Sequence, residues 1–306
     1  MFNVVCMTHD ESSKELKSFF DDRWEGGVSH LELTKQGSRY DPTMFQSCEI
    51  QKTLKPLQEI KGKPITVYGH GSYHHYTYGV VGNTMPQRTN EFLYIHIDYH
   101  TDAGLAKNRC TCGTPHNLHG KCGMNLSCGA FVMELKDHGA RNFLFIGTDA
   151  HCGWKRKRWI RQNQLLQSDY VSLLAKHLKG KKCEDVYISM DLDVLTSAEI
   201  PTGYGRGKIS LRHLLDILTT IKEHKNILGA DILGLCRKDV GSHRDNGSKK
   251  KSYYQPTGYL TYGIIASHLA GRDYLDAMKV RDYFLSLDSV GKNGVAWTDM
   301  AEGLML

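Results

Sequence analysis

Two stretches decide the fold: FLYIHIDYHTD (92–102) and DVYISMDLDV (185–194). Each begins as an uninterrupted run of β-branched, aromatic and aliphatic residues and ends in a cluster of acids. A strand that is apolar on both faces belongs inside a parallel sheet covered by helices on both sides. Working outward, FNVVCM (2–7), VSHLEL (28–33), ITVYG (65–69), NFLFIG (142–147) and ILGADILGL (227–235) read as further strands. Helical spacing lies between them, at Ser12–Phe20, along Phe131, Leu135 and His138, along Leu173, Leu174 and Leu178, and along Leu211, Leu214, Leu215, Leu218 and Ile221. Strands alternating with helices predict an α/β fold: a three-layer α/β/α sandwich with a mainly parallel sheet, as a single domain over 1–306.

Composition agrees with a globular enzyme-sized chain. Of 306 residues, 40% are hydrophobic and 24% charged, which excludes collagen-like and largely disordered classes. The net charge of +6 is too mild for a nucleic-acid-binding module. No apolar run approaches the ~20 residues that span a bilayer. The first twenty residues lack a basic region followed by a long apolar one, so no signal peptide is expected and a cytoplasmic location is. Nine cysteines in such a chain suit free thiols or a metal better than a disulfide framework.

The polar clusters fall where an α/β sheet binds its ligands, at the carboxyl ends of the strands. Asp98, His100 and Asp102 alternate at the end of one run, and Asp191 and Asp193 at the end of another. Four carboxylates at buried strand ends are costly unless cations pair with them. Oxygen ligands with one or two histidines suit Mn²⁺, and the charge is enough for two ions. GHGSYHH (69–75) offers a further ligand in His70, His74 or His75, with His74 favoured because a helix opens just after it. His96, inside its strand, reads as a core histidine or one that supports a ligand from behind.

In this combination the motifs resemble the ureohydrolase superfamily of arginases and agmatinases. Asp98-Tyr99-His100-Thr101-Asp102 matches its Asp-X-His-X-Asp, Asp191-Leu192-Asp193 its Asp-X-Asp, and His74 (or His75) its upstream histidine. IPTGYGRGKISLRHLL (200–215) follows its Thr-Gly loop, and NLHG (117–120) resembles the loop with a proton-shuttling histidine. The resemblance implies an arginase/deacetylase-like fold and two Mn²⁺ per chain sharing Asp98 and Asp191. His74 and Asp102 would complete one ion, His100 and Asp193 the other, and His119 would pass the proton.

The departures bear on substrate. Where arginases hold an acidic residue for the free α-amine, the chain reads Gly147-Thr148-Asp149-Ala150-His151, with His151 in the acidic place. Where they hold the guanidinium-binding Glu stands Gly234, so another carboxylate such as Asp231 or Asp239 would have to serve. The likeness is nearest to a divergent branch that includes the bacterial peptide arginases. It implies conversion of arginine side chains in a ribosomally made peptide to ornithine, with release of urea. Deacetylases of this fold, which use the Asp of a Gly-Ala-Asp strand as a metal ligand, are the alternative enzyme reading. A non-enzymatic peptide-binding protein is the other.

The basic run WKRKRW (154–159) reads as a solvated helix start, or as a grip for an acidic leader peptide or nucleic acid. Cys110, Cys112, Cys122 and Cys128 lack the spacing of a standard zinc site. A homo-oligomer is left open by the sequence.

Overall fold

A computed structural model of the chain describes residues 2–9, 11–25, 27–33, 45–85, 91–103, 125–126, 129–137, 140–149, 159–200, 202, 207–235 and 254–290. His119, His151, Asp239, the four cysteines from Cys110 to Cys128 and the basic residues 155–158 lie outside them.

The strands are β1 (Phe2–Thr8), β2 (Val28–Glu32), β3 (Phe45–Gln46), β4 (Lys63–Val67), β5 (Phe92–Ile97), β6 (Asn125–Leu126), β7 (Asn142–Ile146), β8 (Trp159–Ile160), β9 (Asp185–Asp191) and β10 (Asn226–Leu233). The helices are α1 (Glu11–Arg23), α2 (Ser47–Thr53), α3 (Tyr76–Thr84), α4 (Phe131–Asp137), α5 (Gln162–Leu165), α6 (Tyr170–Lys179), α7 (Leu211–His224), α8 (Tyr254–Ala270) and α9 (Leu275–Val290). Eight strands form one sheet in the order β2-β1-β4-β10-β9-β5-β7-β8, and every pairing in it is parallel. β3 and β6 make a separate two-stranded antiparallel pair.

Side chains alternate across a strand, so one run of residues supplies both faces. From β1, Val4 and Cys6 enter one core and Val5 and Met7 the other. From β5, Leu93, Ile95 and Ile97 face an aliphatic layer closed by α1, α6, α7, α8 and α9. On the opposite face Tyr94, Phe143, Phe145, Tyr187 and Trp159 build a layer rich in aromatics, closed by α2, α3 and α4. α7 shows why such helices form and where they stop. Leu211, Leu214, Leu215, Leu218 and Ile221 make one buried stripe, and the Ser210 hydroxyl caps the start by accepting from the His213 amide.

β8, α8 and α9 were not read from the sequence. Leu260, Tyr262, Ile264, Ile265, Ala266 and Leu269 of α8 are buried, as are Thr257, Thr261 and Ser267. A helix enclosed on nearly every side carries no amphipathic period to detect. Among the described residues no helix is long and apolar enough to cross a membrane.

Candidate metal centre

The carboxyl ends of β4, β9 and β5 come together, and three local turns aim their side chains. β5 stops at Ile97, and the next residues are pinned to β7. The Asp98 amide donates to Ile146 O (3.1 Å), and the Thr148 hydroxyl donates to Asp98 O (3.0 Å). The chain then bends until Asp102, the one described non-glycine residue at positive φ (+47°). A residue held in that region marks a constrained site. Its carbonyl accepts the Val132 amide at the start of α4 (3.1 Å). β9 ends at Asp191 and continues into a tight helical turn, Leu192–Val194, in which Asp191 Oδ1 accepts the Asp193 amide (3.1 Å). Asp193 Oδ1 in turn accepts the Tyr99 amide (3.1 Å), which ties the two acidic motifs together. After β4 a short turn at Gly71–Tyr73 delivers His74 just ahead of α3.

The result is two groups that share one carboxylate. His74 Nδ1 stands 2.8 Å from Asp102 Oδ2, 3.3 Å from Asp98 Oδ2 and 3.7 Å from Asp191 Oδ2. His100 Nδ1 stands 2.9 Å from Asp193 Oδ2 and 3.6 Å from Asp98 Oδ1. Asp98 therefore turns one oxygen to each histidine. His74, Asp98, Asp102, Asp191 and Asp193 are buried, whereas His100 is partly exposed and marks the open side.

The residues fit divalent cations. His74 Nδ1, Asp98 Oδ2 and Asp193 Oδ2 are buried and make no directed hydrogen bond, although each faces another donor atom of the cluster. Unsatisfied buried lone pairs that converge are what a cation removes. The tautomer of His74 follows from its far side. Tyr187 and Ser189 both donate to Asp231, at 2.8 and 2.7 Å. With its proton committed to Asp231, the Ser189 oxygen accepts from His74 Nε2 (2.9 Å). Nε2 thus carries the hydrogen and Nδ1 offers its lone pair to the carboxylate side.

Charge is distributed unevenly. Burial alone would raise the Asp98 carboxyl, but His96, then His100 and His74, outweigh it and hold Asp98 well below the usual range. Burial, reinforced by the charge on Asp98, pushes Asp191 up to about 7. Asp193 is raised well above its ordinary value by burial and then by Asp191 and Asp98. Burial opposes charge on His74, yet Asp102 and Asp98 overcome it and raise the imidazole. His100 is likewise raised against burial, by Asp193 and Asp98. Without cations the cluster holds protons in the positions that cations would take.

Of the sequence-predicted residues, Asp98, His100, Asp102, Asp191, Asp193 and His74 are brought together. His75 is buried at the start of α3, its ring 4.8 Å from that of Tyr76. Asp149 lies next to the site, its amide donating to Tyr99 O (3.1 Å). Asp231 is fully buried behind His74, with Ser189 on one oxygen and Tyr187 on the other, so it supports a ligand from behind. Ser189 was missed, although its place two residues before Asp191 on β9 puts both on one face.

The family model described as Arginase family matches residues 39–235, close to two thirds of the chain. Among solved structures, the fold is similar to proclavaminate amidino hydrolase from Streptomyces clavuligerus (17% identity, TM-score 0.56, 88% of this chain and 90% of that one). It is also similar to Entamoeba histolytica arginase in complex with L-ornithine (13%, 0.56, 88% and 97%) and agmatine ureohydrolase of Thermoplasma volcanium (13%, 0.55, 88% and 89%). None of the curated proteins compared with the chain matches it.

Proposed function

Because the chain belongs to the arginase family, we propose that it is a dimanganese hydrolase acting on the guanidine of arginine side chains, within a ribosomally made peptide, to leave ornithine and release urea. The observation that carries this reading is the division of the site around Asp98. One oxygen joins the His74, Asp102 and Asp191 group and the other joins His100 and Asp193. Such an arrangement would hold two ions side by side with Asp98 shared; that Asp191 is shared as well is what the family resemblance implies. Bound there, the ions would supply Lewis acidity and a water of lowered pKa.

The protein's own groups do the rest. His74 is held with Nδ1 forward by Ser189 and Asp231, so its orientation costs nothing at the moment of reaction. Asp193 is fixed by the Tyr99 amide. His119, outside the described residues, is assigned the proton given to the leaving amine. Asp149, beside the strand end that carries His100, and His151 after it are assigned to substrate recognition. A histidine in place of an amine-binding acid suits an arginine whose α-amine is already in a peptide bond. The basic residues 155–158 are assigned to an acidic leader. Amide deacetylation would enlist Asp231 as a metal ligand, whereas here Asp231 stands behind His74, accepting from Ser189 and Tyr187.

The test is mass spectrometry of arginine-containing peptides incubated with manganese-loaded protein. Loss of about 42 Da per arginine is expected for conversion of the guanidine to an amine. Peptides of unchanged mass, from protein carrying two manganese ions per chain, would refute the assignment.

A further inference from the structure

On β5, Tyr94, His96 and Asp98 share one face because alternate residues point the same way. Tyr94, His96 and Asp98 are all fully buried. His96 Nε2 lies 3.1 Å from Asp98 Oδ2, close but not aligned as a directed hydrogen bond, and its Nδ1 lies 3.4 Å from the Tyr94 hydroxyl. The ring cannot easily turn. It stacks on His74 with centroids 5.2 Å apart and planes within 18°, and it meets the edges of Phe131 and Phe145 at 6.0 and 5.6 Å.

His74 and His96 reach the same oxygen with different company. His74 Nδ1 is within 4 Å of three carboxylates. His96 Nε2, among the described residues, approaches that of Asp98 alone. The ligand atoms of His74, His96 and Asp98 all lie within 4.8 Å of one another, but a nitrogen that meets one carboxylate where its neighbour meets three is better placed to hold that carboxylate than to complete the coordination. The other oxygen of Asp98 is already held, since Oδ1 accepts the His100 amide (2.5 Å).

We propose that His96 is a positioning residue whose Nε2–H, already within reach of Asp98 Oδ2, donates to it when cations are bound, with the Tyr94 hydroxyl donating to Nδ1 to fix that tautomer, so that Asp98 stays turned with one oxygen in each half of the site. The inference rests on the two-metal reading above. It assigns to His96 a role in whether the shared carboxylate serves both ions. Hydrogen-bond partners of metal ligands typically change metal affinity by about 10–100-fold when removed. The effect should fall on the simultaneous occupancy of the two positions, because an Asp98 free to rotate can satisfy one ion and abandon the other.

The experiment is Mn²⁺ titration followed by electron paramagnetic resonance, which reads free ions, bound ions and coupling between neighbouring ions. Wild-type protein is measured first; failure to take up two ions would sink the two-metal reading itself, independently of His96. Given two ions in the wild type, His96→Phe keeps the packing against His74, Phe131 and Phe145 but removes the donor. It should weaken one of the two ions by about 10–100-fold and diminish the coupled signal. His96→Gln, which returns an N–H near the place of Nε2, should recover most of the loss. A folded His96→Phe protein with two ions at wild-type affinity and an unaltered coupled spectrum would overturn the proposal. So would a folded His96→Gln protein as impaired as the phenylalanine variant. If the phenylalanine variant does not fold, the glutamine variant decides alone, by its affinity for the second ion.

Discussion

Replacing Gly234 with alanine should damage both the fold and the metal centre, and the structure sets the size of the effect. Gly234 follows β10 at φ +112°, a region that L-residues rarely adopt. Forcing a side chain into it costs about 1–3 kcal/mol. A Cβ there would also overlap Asp191 Oδ1 and the Leu192 amide. One of these belongs to a candidate ligand that accepts the Asp193 amide and the other is backbone, so neither can yield without moving the strand end. Overpacking of this kind adds about 1–3 kcal/mol. The sum, about 2–6 kcal/mol, is a large share of the ~5–15 kcal/mol that holds a typical domain together. Urea denaturation should show a clear fall in midpoint, and elemental analysis should find less metal per chain. Gly180→Ala is the control. Gly180 sits at φ −71° after α6, and its added Cβ would be 3.5 Å from Lys176 O, an ordinary contact. Its stability should stay within about 0.5 kcal/mol of wild type. A Gly234→Ala protein that matches this control in midpoint and metal content would refute the reasoning. The same geometry bears on substrate binding. A glutamate at this position would carry the same backbone strain and the same overlap, so a guanidinium substrate would have to be met from elsewhere.

Asp191→Ala should abolish urea release and lower bound manganese below two per chain, read by colorimetric assay and elemental analysis; full activity in a folded variant would end the functional assignment. Ser189→Ala removes the acceptor behind His74 Nε2 and the donor to Asp231. It should weaken manganese binding by about 10–100-fold, and unchanged affinity in a titration would show that the relay is idle. Metal-free protein should lose stability as pH rises from about 4 to about 7. In that window Asp191, pushed up to about 7 by burial, keeps a proton in the folded state that the unfolded chain has released. The lost contribution is at most about 4 kcal/mol. A bound cation would take the proton's place, so the melting temperature of manganese-loaded protein should not fall over the same range. Melting curves at pH 5 and pH 8, with and without chelator, check the sign. Equal melting of the metal-free form at both values would refute it.

What could be read in the sequence was whatever writes itself into a local pattern. β5 and β9 were legible because a doubly buried strand is a continuous apolar run, and their ends were legible because Asp98, His100, Asp102, Asp191 and Asp193 break that run with charge. α7 was legible because one face is buried and the other is not. α8 was not, because enclosure on nearly every side erases the period that distinguishes a helix. The supporting partners behave in the same way. Nothing in VYISMD marks Ser189 as more than a small residue in a strand. Its role comes from a proton given to Asp231 on the neighbouring β10, whose Asp231 pairs in register with Ser189. That register is a property of strand order, since β9 and β10 become neighbours only after the chain has passed through α7. The choice between His74 and His75 is a further case. Both are buried and adjacent, and only the turn at Gly71–Tyr73 decides which imidazole meets the carboxylates and which packs on Tyr76. The candidate ligands are thus set by local chemistry, while their orientation and basicity are set by residues that topology brings up behind them. Substitutions that spare every ligand, at Ser189, His96 or Gly234, are therefore the sharper tests of how this centre is built.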